Sequence, residues 1–331
     1  MLMMSKCAPL VGFDQGGGGP NIANLFNTTA YTGTGAARTG LGGLNFTANG
    51  GMAWIKHRTA VDQAHKIYDT VRGGGVALGS HSTGGNGAGW ESTFTSTGLS
   101  IDNGFTAHNG NGASYVLWSF ARAARFFDVV TWTGNASNRT IAHSLGVVPG
   151  LILVKRTDAS ADWQVYHRSL ANTDYLVLNS TAASATGATR WNSTTATGSV
   201  FSIGTDSTVN ASGGTYIAYL FAQDTASDGV VQCGSYTGNG SVGGPTITLG
   251  WQPQWLMIKR TDTTGDWWMY DSVRSTSNPR ILKLLANSIA AEDTTGEDVD
   301  FISTGFQPKA TAAGINASGG TYTYLAIRAA A

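Results

Sequence analysis

Few groups in this sequence could do chemistry. Its six histidines are His57, His65, His81, His108, His143 and His167. No H-x3-H or H-E-x-x-H spacing links them and no cysteine cluster accompanies them, so the ligand pattern of a zinc site is missing. Asp102-Asn103-Gly104 and the acidic run Glu292-Asp293 to Glu297-Asp298 offer oxygens. A calcium ion asks for about six to eight of them, and the D-x-[DN]-x-[DN]-G loop is absent. A glycosidase needs two carboxylates facing across a groove, and nothing singles out such a pair. No G-x-S-x-G occurs, and the serines sit in turn-like tracts. The expectation is no catalytic residue, no bound cofactor and no metal.

The remaining candidates bind or support. A lysine closes each of three apolar runs, with an arginine one or two residues on: Lys56 and Arg58, Lys155 and Arg156, Lys259 and Arg260. One reading is an interface charge row; the favoured one is solvated strand ends, each making a local Lys/Arg–Asp pair with an acid of its own unit, such as Asp69, Asp162 or Asp266. Of the ten tryptophans, Trp54, Trp118, Trp163, Trp251, Trp255, Trp267 and Trp268 fall in or beside predicted strands and read as core. Trp90 and Trp191 lie in Gly/Ser/Thr-rich loops, where an exposed ring stacks on a sugar or fills a partner's pocket. At the start, the apolar segment from Ala8 to Phe13, with Leu10 and Phe13, precedes the glycine hinge Gly16–Gly19. An apolar arm on a glycine tether reads as a docking arm.

These groups sit on a repeated frame. The three lysines recur at intervals of about 100 residues, as do Tyr68, Tyr166 and Tyr270 and then Tyr115, Tyr216 and Tyr322. Each unit opens on an aromatic followed by Thr-Gly: Tyr31-Thr32-Gly33, Trp132-Thr133-Gly134 and Tyr236-Thr237-Gly238. A key strand follows that alternates poorly and reads as buried on both faces. Next come a turn and an aromatic-rich strand running to an arginine, Arg72, Arg168 or Arg274. Each unit closes with an Asn/Gly turn and a strand begun by tyrosine; glycine and asparagine supply the positive φ such turns need. Weak third strands lie at Tyr175–Leu178 and at Ile281–Leu285, the latter also readable as a short helix. The predicted fold is all-β: an arm at 1–28, then three tandem antiparallel β-sandwich domains at 29–127, 128–228 and 229–331, packed on one another through very short links.

Composition narrows the function. Of 331 residues only 12% are charged, with Lys+Arg 20 against Asp+Glu 20. Such a surface has no field to draw nucleic acid or an anionic membrane. Gly 45 against Pro 7 speaks for tight turns. Cys7 and Cys233 do not make a disulfide framework, though a bridge between them stays open. Neither a signal peptide nor an 18-residue apolar stretch is evident, so the expectation is synthesis in a cytoplasm and no membrane insertion.

The words Trp54-Ile55-Lys56-His57-Arg58, Tyr68-Asp69-Thr70-Val71-Arg72, Tyr270-Asp271-Ser272-Val273-Arg274, Tyr236-Thr237-Gly238-Asn239-Gly240 and Asn316 to Tyr322 resemble repeated modules of tail-fibre-like and other virion proteins of tailed bacteriophages. The resemblance spans about residues 29 to 331. It implies a structural, oligomeric virion component with jelly-roll or lectin-like sandwiches. The second unit departs from the pattern, reading Tyr166-His167-Arg168 where the others carry Asp. The expected role is a non-enzymatic tail fibre, spike or tail-associated protein, assembling as a homotrimer with other virion proteins. The alternatives are a capsid decoration protein and a module that recognises host surface glycans.

Overall fold

The structure is a computed structural model that describes residues 20–88, 92–102 and 105–330. Leu10, Phe13, Cys7 and Trp90 lie outside the described residues. The fold is all-β, 43% strand and 6% helix, the α-helices being single turns such as Phe46–Asn49. Sparse helix follows from glycine-punctuated runs of β-branched and aromatic residues that never hold a 3.6-residue period.

One sheet order occurs three times. In each unit an opening strand pairs antiparallel with the closing strand, which pairs with the key strand, then the aromatic strand, then a fourth strand. In the first unit these are Phe26–Thr32, Ser114–Ala121, Gly51–His57, Lys66–Asp69 and Gly73–Leu78. In the second they are Phe127–Thr133, Thr215–Ala222, Pro149–Arg156, Gln164–His167 and Asp174–Val177. In the third they are Val231–Thr237, Thr321–Arg328, Pro253–Arg260, Trp267–Asp271 and Lys283–Leu285. The last is a strand, not a helix. A small second sheet covers one face of each large one, for example Arg38–Gly42, Gly98–Ile101 and Ser92–Thr95 in the first unit.

The key strands lack alternation because both of their faces are buried, in the first and third units against two different cores and in the second within the central one, which takes in Leu151, Ile152, Leu153 and Val154 alike. Met52 and Trp54 belong to a central cluster shared by all three units, whereas Ala53 and Ile55 belong to an outer cluster under the small sheet. Trp255 and Met257 likewise point to the centre, with Leu256 and Ile258 in the third unit's outer cluster. At the centre Trp255 of the third unit meets Phe26, Trp118 and Phe120 of the first at ring separations of 6.3, 6.4 and 6.0 Å, and Phe120 meets Phe221 of the second at 5.6 Å. Apolar surface buried in this centre contributes about 25 cal/mol for each Å2 removed from water.

The repeated turn words have one job. Asn109, Asn210 and Asn316 are fully buried, and each Oδ1 accepts from the backbone of the unit's opening turn, at Thr34, Asn135 and Asn239. Tyr115, Tyr216 and Tyr322 stack on the opening aromatics at 5.2, 5.5 and 4.9 Å. The glycine after each opening threonine is obligatory, since a Cβ on Gly33, Gly134 or Gly238 would collide with the carbonyl of Gly110, Ala211 or Ala317.

Candidate functional site: the joints between units

The lysines that look like solvated strand ends are fully buried. None makes the expected local pair with an acid. Lys56 Nζ donates to Gln63 O in its own unit (2.6 Å) and to Ile289 O in the third (3.1 Å). Lys155 Nζ donates to Ala161 O (2.6 Å) and to Thr83 O of the first unit (2.8 Å). Lys259 Nζ donates to Gly265 O (2.6 Å) and to Thr181 O of the second (2.9 Å). The first unit thus reaches the third, the second the first, and the third the second, so the three contacts close a ring. Local ion pairs do form, but through arginine: Arg156 with Asp158 and Arg260 with Asp262.

Each joint repeats two further bonds. Backbone N–H groups of Asn86, Ser184 and Glu292 donate to the carbonyls of Thr157, Thr261 and Arg58, each two residues past a joint lysine. Trp163 Nε1 donates to Gly79 O (2.9 Å) and Trp267 Nε1 to Val177 O (3.0 Å). At the joint of first and third units the indole is replaced by His65. Its Nδ1 accepts from Trp54 Nε1 (2.9 Å), which places the ring proton on Nε2, 2.9 Å from Leu285 O.

The acid of the aromatic strand works on the opposite side of each unit. Asp69 accepts from Arg72 Nε (2.6 Å), from two backbone N–H groups and from Tyr219 O–H of the second unit (2.7 Å). Asp271 accepts from Arg274 Nε (2.5 Å), again from two backbone N–H groups, and from Trp118 Nε1 of the first unit (3.0 Å). In the second unit His167 takes this place: Nδ1 accepts from Ser169 N, and Nε2 lies 3.1 Å from Tyr324 O of the third. The exchange follows the partner. Tyr219 and Trp118 present donors and meet a carboxylate; the matching residue of the third closing strand is Leu325, so the second unit carries a donor aimed at backbone. Arg168 therefore does not correspond to Arg72 and Arg274, which stand three residues after their acids. Glu292 completes the joint of first and third units, accepting from Arg58 (2.7 Å) and Arg274 (2.8 Å).

Burial alone pushes the Lys56 ammonium down to about 8; it is also the chief cause for Lys155 and Lys259, likewise at about 8. An amine whose folded pKa lies below its unfolded value of 10.5 binds fewer protons folded than unfolded between about pH 8 and about pH 10.5, so stability rises with pH through that window. Unfolding by urea is expected to need more denaturant at about pH 9.5 than at about pH 7.5, the stability rising by up to about 2 kcal/mol for each joint lysine. Lys155→Met is expected to cost about 1–3 kcal/mol at neutral pH by orphaning two carbonyls, and to remove its share of that rise. A pH-independent midpoint would contradict this.

Of the surface aromatics proposed from sequence, Trp191 is buried. The single turn Ala188–Trp191 directs its ring inward, where Nε1 donates to Asp174 O (3.1 Å) and the ring packs edge-on against Tyr166. It offers no shelf to a sugar. Trp54, Trp118, Trp163, Trp251, Trp255, Trp267 and Trp268 are buried as expected of core. Cys233 is buried and has no disulfide partner among the described residues; the reading of a Cys7–Cys233 bridge falls on a residue outside them. Among the described residues no cluster of three or more His, Cys, Asp or Glu could hold a metal ion, and no helix is long and apolar enough to cross a membrane. Sequence reasoning ranked an interface role for these lysines below a solvated strand end, although their presence in all three copies was a signal: a merely solvated strand end has no reason to keep one residue type.

Fold and joints together define an all-β sandwich-type protein in which one sheet order occurs three times and buried polar groups bind one repeat to the next. Residues 21–330 match the family described as a domain of unknown function, DUF7483, and the chain belongs to that family. No curated protein matches it.

Proposed function

We propose that the chain is a non-enzymatic structural component of a tailed-bacteriophage particle, a tail fibre, spike or tail-associated protein that assembles with further copies of itself, as a trimer, and with neighbouring virion proteins. The observation that carries this reading is the use to which the buried chemistry is put. The joint lysines, the ring donors and the acids Asp69 and Asp271 are spent on bonds that hold one unit to the next. A body cross-braced in this way resists load and exposure, which suits a particle component. Low charge supports it too, since a neutral surface packs beside copies of itself without long-range repulsion. The resemblance to tailed-phage modules supplies the setting. Mass spectrometry of purified particles tests the proposal: the chain is expected as a stoichiometric component, and its absence from particles would overturn it.

A further inference from the structure

The second unit breaks the repeat in a way that leaves a cation unspent. In the first and third units the arginine after the aromatic strand is locked to Asp69 or Asp271. In the second unit the arginine stands directly after His167, is exposed, and among the described residues its side chain makes no hydrogen bond or ion pair. Arg168 lines a groove of about 820 Å3 within the second unit, together with Asn172, Thr195 and Gln223 and with apolar walls that include Val148 and Leu170.

The polar atoms left over there are complementary. Asn172 Nδ2 donates to Thr195 Oγ1 (2.7 Å), which leaves Asn172 Oδ1 as an acceptor and the Thr195 hydroxyl as a donor. Gln223 Oε1 accepts from Cys233 N (2.7 Å), which leaves its amide N–H groups as donors. A planar guanidinium recognises a carboxylate in bidentate fashion. Amide and hydroxyl groups on an apolar-walled groove suit the hydroxyls and the C–H face of a compact polyol body. We propose that this groove binds a carboxylate-bearing sugar of the uronic acid class, with Arg168 on the carboxylate and Asn172, Thr195 and Gln223 on the hydroxyls. The proposal does not depend on the chain's being a virion protein.

The test is a titration of the full chain with glucuronate, followed by saturation-transfer NMR or calorimetry. Saturable binding is expected, weakened about tenfold or more both by Arg168→Gln and by replacing glucuronate with neutral glucose, since each removes one charged hydrogen-bonded pair. Asn172→Ala is expected to weaken glucuronate several-fold without altering the melting temperature. A longer oligouronide separates the free sugar from a polysaccharide residue as natural source; either binding supports the site. Failure of glucuronate to bind, or equal binding by Arg168→Gln, would overturn the proposal. Inorganic phosphate competing as well as glucuronate would reduce the groove to a general anion site and overturn the sugar assignment. All variants keep the joint residues, so unchanged thermal unfolding separates a lost site from a lost fold.

Discussion

Asp271→Ala is expected to lower the unfolding free energy by about 3–5 kcal/mol, the cost typical of breaking a buried ion pair by removing one partner. The carboxylate is fully buried and answers four donors at once, two on the backbone, one on Arg274 and one on Trp118 of another unit. Its loss leaves the buried Arg274 guanidinium with Glu292 as its remaining acid and leaves the Trp118 indole without an acceptor. Desolvated charge, not the lost attraction, makes the change severe. Replacing both partners by apolar residues, Asp271→Leu with Arg274→Met, is accordingly expected to recover much of the loss, because a buried pair exchanged for packed hydrocarbon is often close to neutral. Urea unfolding of the two single variants and the double variant measures the coupling. A double variant as unstable as the sum of the singles would show that the pair is not the unit of stabilisation.

Acid is expected to unfold the chain cooperatively well above the pH at which carboxylates titrate. Burial is the first cause holding every one of the six histidines below the ordinary imidazole value: His81, His108 and His167 at about 4, His65 well down, and His57 and His143 lowered. Folded pKa values below the unfolded 6.5 mean that the unfolded chain binds more protons between about pH 4 and about pH 6.5. Stability is therefore intact above that window and lost as pH falls through it, each fully shifted histidine contributing up to about 1.4 kcal/mol per pH unit. The joint of first and third units is expected to open first. There His65 replaces the indole of the other two joints, and Lys56 and His81 repel its cationic form, with Lys66 also facing His81. Arg58 and Glu292 flank the same joint as a pair. His167→Gln keeps a donor for Tyr324 O and is expected to flatten the pH dependence by one proton. Hydrogen exchange at about pH 5 is expected to show Leu285 and its neighbours losing protection before the matching residues Gly79 and Val177. Uniform loss across the three joints would contradict this order.

Much of the frame was legible in the sequence, because the sequence repeats itself. The aromatic-Thr-Gly opening and the Asn-Gly closing turn mark steric necessities, and Gly134 meeting the carbonyl of Ala211 explains why the words recur. The unalternating key strands announced burial on both faces. What they did not announce was the identity of the second face. Trp54 and Trp255 read alike as core, and nothing local says that the core joins residues some two hundred positions apart in one cluster. The joints were hidden for the same reason. A lysine at the end of a strand is ordinarily in water, and only the loop of another unit, arriving over Lys155 through Thr83, buries it. Arg168 misled differently: matched to Arg72 and Arg274 by residue type, it stands out of register by two positions, and the structure leaves it facing a groove. Trp191 sits in loop-like sequence, yet a single helical turn carries it inward.

Calorimetric unfolding of the intact chain at neutral pH is the most direct test of the claim that three copies of a sandwich fold are welded through a common centre. Melting in a single step, with a calorimetric to van't Hoff enthalpy ratio of about one, is the predicted result. A ratio of about three, or separate transitions for the three units, would mean that the joints carry no weight and would contradict it.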